Sequence, residues 1–228
     1  MEGADMSRTD ERISTVERPI PEPTLRRLPL YYQYLKKLQS GQGPDYVSSA
    51  TMGNDLRILP IQVRKDLEIT NAVGKPKLGY EVRELVMAIE AFLGWDNITD
   101  GYLVGVGHLG SALLGYQGFR EYGLNLIAAF DSDESKVGTE VHGTKVLHVS
   151  KLANMIKRMG IKIGVLTVPG QAAQELADTM VRAGICAIWN FSPVKITVPP
   201  DIIVQHENLA SSLVVLSKKL AQKLSAKV

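Results

Sequence analysis

The run Gly105-Val106-Gly107-His108-Leu109-Gly110 constrains this chain more than any other stretch. It follows a short apolar segment, Gly101-Tyr-Leu-Val, and opens into Ser111-Ala-Leu-Leu, so it has the form GxGxxG between a strand and a helix. In that setting the first glycine permits a tight turn and the second lets the backbone approach a pyrophosphate. The third lets the helix pack on the strand, while the helix start offers amide donors and the positive end of a dipole. GxGxxG alone is a weak signal. Here a second strand, Leu124 to Phe130, ends in Asp131, and an acid about 20 residues beyond the glycines completes the dinucleotide fingerprint. Such an acid accepts hydrogen bonds from the adenosine ribose and repels a 2′-phosphate, which favours NAD(H) over NADP(H). Glycines that only turn the chain, with a surface acid nearby, would not require the whole strand–loop–helix–strand–acid order.

Further units alternate in the same way. A strand over Lys145–His148 precedes a helix over Ser150–Met159. A strand over Ile161–Val168 precedes a helix over Gln171–Ala183, and a strand over Ile185–Trp189 follows. Strands alternating with helices specify an α/β doubly wound parallel sheet, a Rossmann domain here assigned to residues 99–208. Ligands of such sheets lie at the carboxyl ends of the strands. Thr167, Val168 and Pro169, and then Asn190, Phe191 and Ser192, therefore point to the nicotinamide half, although each group taken alone is equally an ordinary loop. Cys186, in mid-strand, is expected to be buried and inert. His108, His142, His148 and His206 lack ligand-like spacing with cysteines or acids, so no metal is expected. Residues 209–228 form a terminal amphipathic helix. Its stripe of Leu209, Leu213, Leu216, Leu220 and Leu224 finds no obvious cover in its own chain.

The N-terminal half is different in kind. Residues 1–22 are polar, closed by Pro19, Pro21 and Pro23, and are expected to form a disordered tail. Residues 23–98 hold a helix over Thr24–Gln39, then a short helix capped by Ser48 or Ser49 and running through Met52, then the helix Pro60–Ile69. Two short helices joined by a tight turn, the second carrying Gln62, Arg64 and Lys65, meet the needs of a helix-turn-helix whose second helix enters the major groove. Val73–Tyr80 has glycines at its ends and Lys75 and Lys77 at its tip, the pattern of a wing. An amphipathic helix over Glu81–Leu93 follows. Arg and Lys exceed Asp and Glu between Pro23 and Tyr80, a local basic block that suits phosphate contact and equally a solvated surface.

Composition narrows the class. Of 228 residues 45% are hydrophobic, and none of the apolar runs approaches the roughly 18 residues of a membrane span. The polar N-terminus lacks a secretory h-region, and with one cysteine no intrachain disulfide forms, which together suggest the cytoplasm. An NAD-dependent oxidoreductase would need an acid or base at the strand ends and a substrate domain, and neither is evident. A CoA-binding module with an accessory helical domain is the other alternative, against which Asp131 argues.

From Thr24 onward the chain resembles the Rex family of bacterial redox-sensing repressors. The stretches that carry the resemblance are RRLPLYYQYLKKL, PIQVRKDL, GKPKLGYEVREL, VGVGHLGSALLGYQGF, AAFDSDESKVG, LTVPGQAAQELAD and NFSPVKITVPP. It implies a winged-helix DNA-binding domain, a Rossmann domain for NADH and NAD+, and a homodimer whose C-terminal helix is exchanged between protomers. It implies release from a palindromic double-stranded operator by NADH, and no enzymatic activity. Lys136, in the matched segment after Asp131, joins the cofactor candidates. The family couples ligand to DNA through an Arg, a Tyr and an Asp; Arg27 and Tyr116 match the first two, and Asn208 stands in place of the acid. Other departures are His108 for the usual Asn, Leu59 for the usual capping Thr or Ser, and Glu68–Val73 for an aromatic-glycine segment.

Overall fold

The computed structural model describes residues 20–41 and 43–225. Most of the expected tail, residues 1–22, lies outside the described residues. The chain separates into two compact units, residues 1–93 and 94–228.

In the first unit, α1 (Glu22–Ser40) buries Thr24, Leu28, Tyr31, Tyr32 and Leu35, at helical spacing along one face. That face packs on α4 (Val82–Leu93), whose Val82, Leu85, Val86 and Ile89 are buried. Between them lie β1 (Tyr46–Val47), α2 (Ser49–Leu56), α3 (Pro60–Glu68) and β2 (Tyr80–Glu81), with β2 antiparallel to β1. Ser48 is the cap of α2: its Oγ accepts the Thr51 N–H at 3.0 Å. The α2–α3 turn places Arg57 in the left-handed region (φ 57) and lets the Ile58 N–H reach the Gly53 carbonyl at 2.8 Å. A Cβ at Gly53 would lie 2.6 Å from the Ile58 carbonyl oxygen, so the turn needs glycine.

Helix α3 has two stripes. Val63, Asp66 and Leu67 face inward, while Ile61, Arg64, Lys65 and Glu68 are exposed. Asp66 is buried to 1% exposure, and a carboxylate there must be paired. Arg27 of α1 grips it with both arms, Nε to Oδ2 at 2.6 Å and a terminal nitrogen to Oδ1 at 2.9 Å. Thr24 Oγ1 at 3.0 Å, Tyr31 OH at 2.7 Å and Gln62 Nε2 at 2.8 Å also donate to it. Burial pushes the Asp66 carboxyl up, but the bonds from Arg27, Tyr31, Gln62 and Thr24 outweigh it and hold the group below the usual carboxylate range.

The second unit is a seven-stranded sheet in the order β5-β6-β4-β3-β7-β8-β9. Its strands are β3 (Thr99–Val104), β4 (Leu124–Asp131), β5 (Glu140–Val141), β6 (Thr144–His148), β7 (Ile163–Leu166), β8 (Ala187–Asn190) and β9 (Ile203–His206). All pair in parallel except β5, which forms a hairpin with β6. The helices are α5 (His108–Leu114), the single turn α6 (Gly118–Glu121), α7 (Leu152–Met159), α8 (Gly170–Ala183) and α9 (Leu209–Ser225). Alternate residues of β3 serve two cores. Tyr102 and Val104 join Phe130, Ile156 and Met180 in the core under α7 and α8, and Leu103 joins Ala129, Val146 and Val165 on the other face. Because β4 and β7 flank β3, the chain reverses its winding there, and a crevice opens at the carboxyl ends of these strands.

Several expectations need correction. Helix α2 runs to Leu56 rather than Met52, and Val149–Lys151 is a 3₁₀ turn before α7. Strands β1, β2 and β5, two residues each, are too short for periodicity to reveal, and β9, as long as β7 and β8, is an edge strand absent from the expected set. Cys186 is exposed, not buried: β8 begins one residue later, and the adjacent Ile185 takes the buried position. Helix α9 exposes Leu213, Val214, Val215, Leu216, Leu220 and Leu224, each more than half accessible. Among the described residues no helix is long and apolar enough to cross a membrane.

A depressed carboxyl contributes stability above its unfolded pKa and loses it as pH falls through the folded value. The first unit should therefore weaken progressively below about pH 4, the ordinary Asp value. Asp66→Asn should lower its stability by about 3 kcal/mol, the low end for a broken buried pair, because the Arg27 side chain keeps 27% exposure. It should also flatten the acid limb. Denaturant melts from pH 3 to 7 test this, and an Asp66→Asn variant with the parent's stability and acid profile would refute it.

Candidate cofactor and nucleic-acid sites

The glycine loop leaves β3 at Gly105, whose φ of 101° and close neighbours demand glycine. A Cβ there would meet Val168 Cγ1 at 2.7 Å and the Thr167 carbonyl at 2.8 Å. A Cβ at Gly110 would collide with the Gly105 carbonyl oxygen, so the third glycine lets α5 lie on the turn that starts it. Gly107 is the opposite case, with open space around its Cβ position, as fits a loop whose backbone approaches a pyrophosphate.

Two side chains hold this loop. Thr167 Oγ1 donates to the Gly105 carbonyl at 2.6 Å and to that of Val104 at 3.1 Å. Asp131, at the end of β4, accepts the Val106 N–H at 2.7 Å, the Asp133 N–H at 2.9 Å and Lys136 Nζ at 3.2 Å. Burial pushes the Asp131 carboxyl up, but the Asp133 and Val106 amides and Lys136 together hold it below the usual range.

A cavity of about 460 Å³ opens at this point, within the size range of small-molecule sites. It brings together seven of the expected residues: Gly105, Gly107, Asp131, Lys136, Thr167, Val168 and Pro169. Ser132, Val149 and Glu175 also line it. Val149 could have been found in the sequence, since it follows β6 as Thr167 follows β7. The other candidates lie elsewhere. Val106 gives its amide to Asp131, and Gly110 packs under the loop. His108 and Leu109 begin α5, His108 exposed and Leu109 half-buried. Asn190 is fully buried and ties down its own loop, its Oδ1 accepting the Ser192 N–H and hydroxyl at 2.9 and 2.6 Å. Phe191 stacks on Trp189 in an aromatic row that continues through Phe119 to Tyr116.

The first unit has a cleft of about 390 Å³ that gathers Ser48, Ser49, Arg64, Lys75 and Lys77 against Tyr80. Lys65 stands exposed on α3. Two expectations change in detail. Gln62 spends its amide on Asp66. Lys75 sits at the base of the hairpin, not its tip, bridged to Gly79, with its ammonium on Tyr46 OH at 2.8 Å and Glu81 Oε2 at 3.3 Å. Lys77, at φ 64, occupies the turn. Of the expected coupling residues, Arg27 engages Asp66, Tyr116 is exposed edge-on to Phe119, and Asn208 Oδ1 accepts the Ala210 N–H at 3.0 Å at the start of α9.

A basic helix-turn-helix head joined to a dinucleotide-type Rossmann domain defines the class of ligand-responsive transcriptional regulators. The comparisons narrow it. Residues 19–68 match a family model described as "Putative DNA-binding protein N-terminus", and residues 96–194 match the CoA binding domain. The redox-sensing transcriptional repressor Rex of Treponema denticola is 48% identical over 194 residues, covering 85% of this chain and 92% of that protein. The Rex of Bacteroides fragilis is 44% identical over 201 residues, covering 88% and 91%. The crystal structure of RSP, a Rex-family repressor, in complex with β-NAD+ and operator DNA superposes with a TM-score of 0.85 at 33% identity, over 92% of this chain and 97% of that one. RSP in complex with β-NADH gives 0.82 at 34% identity, over 92% and 99%. The chain belongs to the Rex family of redox-sensing transcriptional repressors.

The contact beneath Gly110 gives a direct test of the loop. Gly110→Ala forces α5 away from Gly105, an overpacking cost of about 1–3 kcal/mol. NADH affinity should fall by about tenfold or more, with the first unit's stability unchanged. Calorimetry showing parental NADH affinity in the variant would refute this account of the third glycine.

Proposed function

We propose that this chain is a cytoplasmic, homodimeric repressor that binds a palindromic operator and is released from it by NADH, with NAD+ compatible with binding. The observation that carries the reading is the cavity at the β3–β7 reversal, where Gly107 leaves room for a pyrophosphate and Asp131 stands beside it. The RSP complexes with NAD+, NADH and operator DNA support it by kinship. Gly105, Gly107, Asp131, Lys136, Thr167, Val168 and Pro169 hold the cofactor. Val106, His108, Leu109 and Gly110 shape the loop around it, and Asn190, Phe191 and Ser192 close the nicotinamide side.

On the DNA side, Arg64 and Lys65 face the major groove, Ser48 and Ser49 meet phosphate, and Lys77 reaches from the wing. Lys75 supports the wing through Tyr46 and Glu81. The exposed leucines of α9 are covered by a second copy, because that much apolar surface is costly to leave in water at about 25 cal/mol per Å². A two-fold dimer in turn suits a palindrome. Arg27, Tyr116 and Asn208 are the coupling residues, and neutral Asn208 makes the coupling weaker than in relatives with an acid there.

Lys77→Ala should weaken binding to every DNA sequence and lower the slope of log affinity against log salt by about one. Lys75→Ala should change the slope by less, since its charge is already shared with Glu81. Equal slopes for both variants would overturn this division of roles.

The central test is a mobility-shift titration of operator DNA with saturating NADH against saturating NAD+, in the parent and in Asn208→Asp. NADH should weaken operator binding, and more so in the variant. Identical affinities in all four conditions would leave a DNA-binding protein without redox sensing.

A further inference from the structure

We infer that Leu59 and Ile61 form an apolar reading edge for the 5-methyl groups of thymine in the major groove. The inference rests on the reading of α3 as the recognition helix and adds what that helix recognises. The inner stripe of α3 has taken up Val63 and Leu67, both fully buried, together with Asp66. Ile61 lies instead on the outer stripe with Arg64, Lys65 and Glu68, and it is 53% exposed. Leu59, immediately before the helix, is 73% exposed. Two large aliphatic side chains, two residues apart, are thus both exposed at the N-terminal end of α3.

Leu59 occupies the cap position of α3, with φ −58 and ψ 129, and its side chain makes no cap bond. Ser, Thr, Asn or Asp at that position would stabilise the helix by about 1 kcal/mol, as Ser48 does for α2. The chain forgoes that bond at Leu59, and Pro60 next to it has no N–H to satisfy. A leucine here therefore serves neither the core nor the cap.

The first residues of a recognition helix are those that approach base edges. In the major groove the base-edge feature that an aliphatic side chain matches is the thymine methyl, while the remaining features are donors and acceptors. Arg64 and Lys65 continue the same stripe, and Ser48, Ser49 and Lys77 line the cleft beside it. Those cations suit phosphates flanking a base edge and do not suit an apolar protein partner, whose interface core would exclude lysine.

The experiment uses the full-length chain and a duplex that it selects from a random pool. Each thymine is replaced in turn by uracil, which keeps base pairing and removes only the methyl. At one or two positions of each half-site, uracil should weaken binding by about fourfold, the value of one buried methyl group. Leu59→Ser and Ile61→Ala should bind the thymine duplex more weakly and lose the preference for thymine over uracil. Leu59→Ser offers a capping hydroxyl, so its thermal midpoint should not fall, which separates reading from folding. If the parent selects a duplex yet binds every uracil version equally well, the inference is overturned and the DNA-binding reading stands. The inference is also overturned if both variants keep the parent's preference for thymine. If the chain selects no duplex, the DNA-binding reading fails and the inference with it.

Discussion

The carboxylate of Asp66 sits in the last turn of α3, a helix whose opposite side is exposed, and it is out of reach of water. An isolated charge in that position would cost several kcal/mol, so the surrounding chain is organised around satisfying it. Arg27 and Thr24 come from the first two turns of α1, Tyr31 from the next turn, and Gln62 from α3 itself. Apolar packing through Val63 and Leu67 is non-directional and would tolerate α3 rolling or sliding on its neighbours. Hydrogen bonds arriving at both carboxylate oxygens fix its rotation. The positions of Ile61, Arg64 and Lys65 on the outer stripe follow from that inner constraint.

The second unit solves a similar problem with backbone instead of charge. Its loop is held from three directions: Thr167 bonds the carbonyls of Val104 and Gly105, Asp131 takes the Val106 amide, and the third glycine lets α5 close on the first. Residues that the dinucleotide fingerprint marks as ligand contacts thus also build the site. Asp131 is the clearest example, because its carboxylate is largely committed to amides and Lys136 even as it borders the cavity.

What was legible in the sequence follows from the range over which each signal acts. The glycine loop, Asp131, the α3 stripe and the major α/β alternation are local patterns, and local patterns survive in one dimension. Two-residue strands such as β1 and β2 have no period to detect, and their pairing joins positions far apart in the chain. The inward role of Asp66 was hidden for the same reason, since a carboxylate next to Arg64 and Lys65 in α3 gives no sign that its partners lie on α1. Lys75 and Lys77 look equivalent in sequence, and only the bridge to Gly79 places one at the base and the other in the turn. Cys186 lies just outside β8, which starts at Ala187 and not at Ile185, so the inside-outside alternation of a strand does not reach it.

The preformed loop around Gly107 has a consequence for what the protein can measure. The atoms that such a loop grips, the diphosphate and the adenosine ribose, are chemically the same in NAD+ and NADH. On the cofactor reading proposed above, affinity supplied by Gly105, Asp131 and Thr167 would go to both forms alike, and a contact that does not differ between two forms cannot shift the balance between them. On that reading, this half of the cavity would set how much of the total nicotinamide pool the protein captures. The ratio of the two forms is left for a different part of the molecule to register. Tightening the loop would fill the site sooner as the pool grows and would leave its redox midpoint where it was.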